Sequence, residues 1–101
     1  MELKGKTVLI TGSSRGIGKA IAFAFAKEGC NLVLNASVSS EELVKTQEEL
    51  KSMGYYSYSY LADVSDYAQC AEMFGTISTI YGNVDILINN AGISHLGLFT
   101  D

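Results

Sequence analysis

An apolar run, Thr7-Val8-Leu9-Ile10, passes directly into Thr11-Gly12-Ser13-Ser14-Arg15-Gly16-Ile17-Gly18 and then into Lys19-Ala20-Ile21-Ala22-Phe23-Ala24-Phe25-Ala26. This junction limits the fold more than any other feature of the chain. The run at 6–11 predicts a strand covered on both faces. Three glycines at its end, ahead of a segment with helical period, predict a tight turn feeding a helix amino terminus. Along that helix Ile17, Ala20, Ile21, Ala24 and Phe25 recur at three- and four-residue steps, which predicts a buried face, and Gly29 stands at the left-handed C-cap.

The same alternation continues to the end of the chain. Asn31 to Asn35 predicts a second short buried strand. Ser39-Ser40-Glu41-Glu42 has the Ser-x-x-Glu spacing of a capping box, opening a polar helix that Gly54 closes, with Leu43, Leu50 and Met53 as its apolar stripe. Residues 56–62 predict a third strand, whose Tyr56, Tyr58 and Tyr60 rings share one face with Ser57 and Ser59 on the other, as on an edge strand packed by a helix. Ser65-Asp66 opens a third helix carrying Cys70, Met73, Phe74, Ile77, Ile80 and Tyr81 on one side, and Gly82 ends it. Val84 to Ile88 is a fourth strand, followed by the turn Asn89-Asn90-Ala91-Gly92.

A βαβαβαβ order implies an α/β, Rossmann-like three-layer fold: a partial doubly wound parallel sheet with right-handed crossovers and strand order 3-2-1-4. Ligands of such sheets bind beyond the carboxyl ends of the strands, where the order reverses. That point falls between the first and fourth strands. The turns at Gly12–Gly18 and Asn89–Gly92 therefore converge on one crevice. There Gly12 makes the turn, Gly16 lets the backbone approach a pyrophosphate, and Gly18 lets the helix pack on the sheet. Unpaired helix N–H groups and a positive dipole end face the anion. Ser13 and Ser14 add hydroxyl donors.

Composition excludes several other classes. A chain of 101 residues is one domain by length. A hydrophobic fraction of 48% with 18% charged residues describes a globular chain. A net charge of −4 argues against a nucleic-acid surface, so the six tyrosines are not base-stacking platforms. The amino terminus lacks the apolar core of a signal peptide, and no apolar run approaches a membrane span. Cys30 and Cys70, without ligand spacing, suit reduced thiols in a cytoplasmic protein.

At Thr11–Gly18 the Gly-x-x-x-Gly-x-Gly spacing resembles the cofactor motif of the short-chain dehydrogenase/reductase family. Asn89-Asn90-Ala91-Gly92 resembles its second signature, and Ala62-Asp63-Val64 its acidic adenine-side turn. The likeness runs over essentially the whole chain and is greatest to the 3-oxoacyl-[acyl-carrier-protein] reductase branch, which implies NADP(H)-dependent carbonyl reduction in fatty acid biosynthesis. It also implies that Ser37 lies near a 2′-phosphate, that Asp63 and Val64 hold adenine, and that Asn90, Ala91 and Gly92 line the ribose and nicotinamide end. From the residues alone, the other reading of Asp63 is a turn or cap residue beside Ser65. Asn89 is implied to brace the sheet.

The cofactor choice turns on the end of the second strand. NAD sites place a carboxylate there for the ribose 2′-hydroxyl. This chain has Asn35-Ala36-Ser37, and its next carboxylate is Glu41. Arg15 lies beside the same ribose, and in the family an arginine before the second glycine marks NADP. The expectation is NADP(H) ahead of NAD(H), with a solvated loop charge as the other reading of Arg15.

The family's chemistry uses a Tyr-x-x-x-Lys pair, and none of the six tyrosines has lysine four positions on. His95 fits a solvated loop, and Ser94 is given no role. The expectation is therefore a dinucleotide-binding half-domain over residues 1–101, cut before its catalytic segment and inactive alone, in an enzyme that forms homo-oligomers. A non-catalytic dinucleotide-binding or interaction module is the alternative. Self-association through an exposed fourth strand is expected of the isolated chain.

Overall fold

The computed structural model describes residues 2–13, 16–38 and 41–90. Its elements are β1 (Thr7–Ile10), α1 (Gly16–Lys27), β2 (Asn31–Ala36), α2 (Glu41–Ser52), β3 (Ser57–Leu61), α3 (Tyr67–Tyr81) and β4 (Ile86–Ile88). The strands form one parallel sheet in the order β3-β2-β1-β4, as the alternation predicts. Val8 pairs with Leu32 on one side and Ile86 on the other, so β1 is central and fully buried.

Each face of the sheet carries its own apolar layer. Val8, Ile10, Leu32 and Leu34 meet Ala22 and Ala26 of α1 and Leu43 and Leu50 of α2. Leu9 and Val33 point the other way, onto Cys70, Met73 and Ile77 of α3. Alternation along each strand produces the two sets. α1 and α2 share a face because β1, β2 and β3 step outward in one direction. The chain then returns past β1 to β4, and a right-handed crossover carries α3 to the opposite face.

Three helix faces differ from expectation. On α1 the residues turned to the sheet are Gly18, Ala22 and Ala26, while Ile17 is 73% exposed and Ala20 and Ala24 are exposed. Ile21 and Phe25 flank the contact. In a helix apolar on most sides, periodicity admits more than one stripe, and close approach selects the smallest side chains. On α2 Thr46 is buried and Met53, beyond the helix end, is 51% exposed. On α3 Cys70, Met73 and Ile77 are buried, with Phe74 and Tyr81 packed at the margin, but Ile80 is 46% exposed.

The sheet's edges also refine the expectation. Tyr58 and Tyr60 pack against the α3 layer, whereas Tyr56 precedes β3 and is exposed. β4 is three residues long, because Asp85 leaves the ladder. Its Oδ2 accepts from Thr7 N–H at 2.8 Å, and its own N–H donates to the Thr7 carbonyl at 2.9 Å. Asp66 caps α3 by accepting from Gln69 N–H, and Gly82 closes it with φ 85°. The capping box at Ser39-Ser40 lies outside the described residues.

Candidate dinucleotide site

The glycine turn is built from β1 outward. Thr11 N–H donates to the Ile88 carbonyl at 3.0 Å, and its hydroxyl receives Asn90 N–H at 2.9 Å. The same hydroxyl reaches the Asn89 Oδ1 at 3.3 Å. Asn90 Nδ2 donates to the Gly12 carbonyl at 3.1 Å. The two turns at the switch point are thus stitched together by β1 and β4. Asn89 braces the sheet, as the resemblance implies.

Gly12 adopts φ 61° and Gly16 φ 63°, in the left-handed region where side chains are strained. No described residue stands within 4 Å of where a Gly16 Cβ would lie, so among the described residues the backbone is open at the helix start. Gly18 is the reverse case. A Cβ there would overlap the Gly12 carbonyl oxygen and come within 2.8 Å of Asn90 Nδ2. α1 has no acidic residue in its first turn, leaving its positive end unopposed toward an anion. An open cradle over bare amides fits a diphosphate. Ile17 stands exposed beside it.

Ser13 departs from expectation. Its side chain is buried, its Oγ accepts from Asn35 N–H at 2.9 Å, and it lies 3.4 Å from the Asn35 carbonyl, to which Ser13 N–H also donates at 3.1 Å. The hydroxyl therefore ties the turn to β2 and is turned away from an anion at the helix start. Ser14, Arg15, Ala91 and Gly92 lie outside the described residues, as do Ser94 and His95.

At the end of β2, Ser37 and Val38 are exposed, and the sequence holds no carboxylate between Asn35 and Glu41. The turn after β3 is closed by Asp63, whose Oδ1 accepts from Ser65 Oγ at 2.6 Å and Ser65 N–H at 2.9 Å. Those bonds, the side-chain one foremost, hold its carboxyl below the usual value. Asp63 N–H donates to Gln69 Oε1 at 2.8 Å. The turn reading of Asp63 is thus realised, and the residue is exposed at the rim of the strand ends. Val64 is buried in the apolar layer beneath α3.

Sequence reasoning passed over Asn35 as more than an absent carboxylate. It is 2% exposed, and its Nδ2 donates to the carbonyls of Tyr60 at 3.1 Å and Ala62 at 3.2 Å. The signal available was an amide inside an apolar strand, since a buried amide requires partners. A separate cleft, lined by Ala71, Phe74, Gly75, Ser78, Asn83 and Val84, flanks α3 and the entry to β4, away from the strands' carboxyl ends. Among the described residues no helix is long and apolar enough to cross a membrane.

Comparison with known proteins agrees with this geometry. The family model for short chain dehydrogenase matches residues 6–101. Oxidoreductase UcpA of Salmonella typhimurium is 43% identical over 100 residues, covering 99% of this chain and 37% of that protein. The 3-oxoacyl-[acyl-carrier-protein] reductase FabG of Staphylococcus aureus is 39% identical over 89 residues, covering 88% of the chain and 36% of the reductase. A metagenomic short-chain oxidoreductase solved in complex with NADP superposes with a TM-score of 0.83 at 33% identity, over 92% of this chain and 42% of that one. For 2-keto-3-deoxy-D-gluconate dehydrogenase from Streptococcus agalactiae the TM-score is 0.81 at 43% identity, over 91% and 34%. The chain spans little more than a third of the length of these curated relatives.

Proposed function

The chain belongs to the short-chain dehydrogenase family, and from that membership we propose that it forms the NADP(H)-binding part, residues 1–101, of a cytoplasmic oxidoreductase. The observation that carries this reading is the Gly12–Gly18 turn, open at Gly16 and closed at Gly18. In it, the main-chain amides at the start of α1 hold the diphosphate. Ser14 donates to the same anion, and Ile17 covers it. Ser37 and Arg15 meet the 2′-phosphate, Asp63 and the main chain of Val64 border the adenine, and Asn90, Ala91 and Gly92 line the ribose and nicotinamide end. The bound cofactor supplies a hydride for exchange with a carbonyl or alcohol.

The absence of a carboxylate between Asn35 and Glu41 supports NADP(H) over NAD(H), since nothing there repels a 2′-phosphate. The solved relative in complex with NADP agrees with this choice. Affinities for NADPH and NADH test it: NADPH binds more tightly if the reading holds, and equal or tighter NADH defeats it.

For the whole protein, identity to FabG supports reduction of a 3-oxoacyl group on acyl carrier protein, and the higher identity to UcpA supports the broader oxidoreductase reading. The chain of 101 residues has no Tyr-x-x-x-Lys and is expected to reduce no carbonyl by itself. Turnover of an oxoacyl thioester above a protein-free blank contradicts that.

A further inference from the structure

Among the described residues, Asn35 is bonded to both of the turns that the nucleotide would span. Toward β1 its main chain accepts from and donates to Ser13, the residue after Gly12. Toward β3 its side chain gives one amide nitrogen to the Tyr60 and Ala62 carbonyls. Ala62 is followed directly by Asp63. The ladder between β2 and β3 ends at Ala36 and Leu61, with the Ala62 N–H to Ala36 carbonyl bond as its last rung. Asn35 supplies donors at the point where that ladder runs out.

Its surroundings make the arrangement costly to assemble for any lesser purpose. Asn35 lies on the face of β2 that carries Val33, against Met73, whose sulfur is 3.8 Å from Nδ2. A carboxamide in that layer is destabilising unless its hydrogens are used. A leucine would fill a similar volume and leave the Tyr60 and Ala62 carbonyls without these donors. At 2% exposure Asn35 is too deeply placed to touch a ligand. What it can do is hold two ligand-facing turns at a fixed separation, which reduces the ordering cost of binding.

We propose that Asn35 is a positioning residue that fixes the Ala62–Asp63–Val64 turn relative to the Gly12–Gly18 turn, so that both meet one nucleotide at once. This rests on the dinucleotide reading of the site. The main-chain links to Ser13 survive replacement of the side chain, so the phosphate turn keeps its brace while the adenine-side turn loses its own.

The test uses the full 101-residue chain and two probes. Adenosine 2′,5′-bisphosphate reaches from the ribose phosphates to adenine, and inorganic pyrophosphate needs the glycine turn alone. Affinities are expressed per folded molecule, by calorimetry. Asn35→Leu is expected to weaken the adenosine bisphosphate about tenfold, the scale of one or two lost hydrogen bonds, and to change pyrophosphate by less than about twofold. Ile77→Val, in the same apolar layer one turn along α3, is the stability control and leaves both affinities in place. Should Asn35→Leu not fold, Asn35→Ser, with one hydroxyl for two carbonyls, carries the same comparison. Parallel losses for both probes, or none, overturn the role of Asn35 while leaving the site intact. Wild-type chain that is folded and binds neither probe removes the dinucleotide reading itself, and this inference with it.

Discussion

Two glycines two residues apart at the start of α1 do different jobs, and substitution separates them. Gly18→Ala drives a methyl into the Gly12 carbonyl and the Asn90 amide, so it is expected to cost about 2 kcal/mol or more of folding stability. Gly16→Ala meets open space and bears only the cost of φ 63°, about 1 kcal/mol, yet its methyl stands where the diphosphate would approach. Denaturant midpoints and nucleotide titrations on both variants check this: Gly18→Ala loses stability first, Gly16→Ala loses affinity first. Asp63 gives a pH signature. Its carboxyl titrates below the ordinary 3.8 because Ser65 donates to it. A group with a depressed folded pKa stabilises the fold above its unfolded value, and that contribution is lost as the pH falls through the folded one. Ser65→Ala should therefore move the Asp63 titration up toward 3.8, as followed by NMR, and an unmoved midpoint contradicts the assignment. At this scale the glycines were legible because backbone geometry demands them. The partner of Ser13 was not, since a buried hydroxyl and a ligand-facing one look alike in sequence.

The elements were legible in kind and order, and less so in the faces they bury. Strand and helix periods placed all seven elements, and Gly82 and Asp66 marked the ends of α3. The α1 face failed because Ala, Ile and Phe surround that helix, leaving periodicity without contrast. What decided it was the distance between helix and sheet. Close packing needs Gly18, Ala22 and Ala26 in line, and larger residues are turned aside. It follows that Ala22→Leu should destabilise the chain by about 1–3 kcal/mol through overpacking. Ala24→Leu, on the exposed side, should stay within about 0.5 kcal/mol of the wild type. Thermal or urea unfolding distinguishes the two, and equal costs would restore the face that the spacing alone suggests. Met53 and Ile80 teach the same lesson at helix ends, where a residue keeps its period after the packing surface has stopped.

For the whole molecule, the reversal of strand order between β2-β1 and β1-β4 is what brings the Gly12 turn and Asn90 together. That convergence is readable from topology alone, because a parallel sheet with right-handed crossovers leaves one place for it. The bonds through Asn35 were not, since they depend on which amide hydrogens reach which carbonyls. Among the described residues β4 has a strand neighbour on one side only, and its three residues are half-buried. The 101-residue chain is accordingly expected to self-associate, as an uncovered apolar edge recruits another chain. Sedimentation that shows a monomer at all concentrations counts against it. The account as a whole stands on the amides at the start of α1 holding a diphosphate. The direct measurement is an NADPH titration of the folded chain followed by backbone amide NMR. Saturable binding with the largest shifts at Gly12 and at Gly16 to Gly18 is the predicted result. No saturation, or shifts centred on the cleft beside Phe74 and Val84, would contradict it.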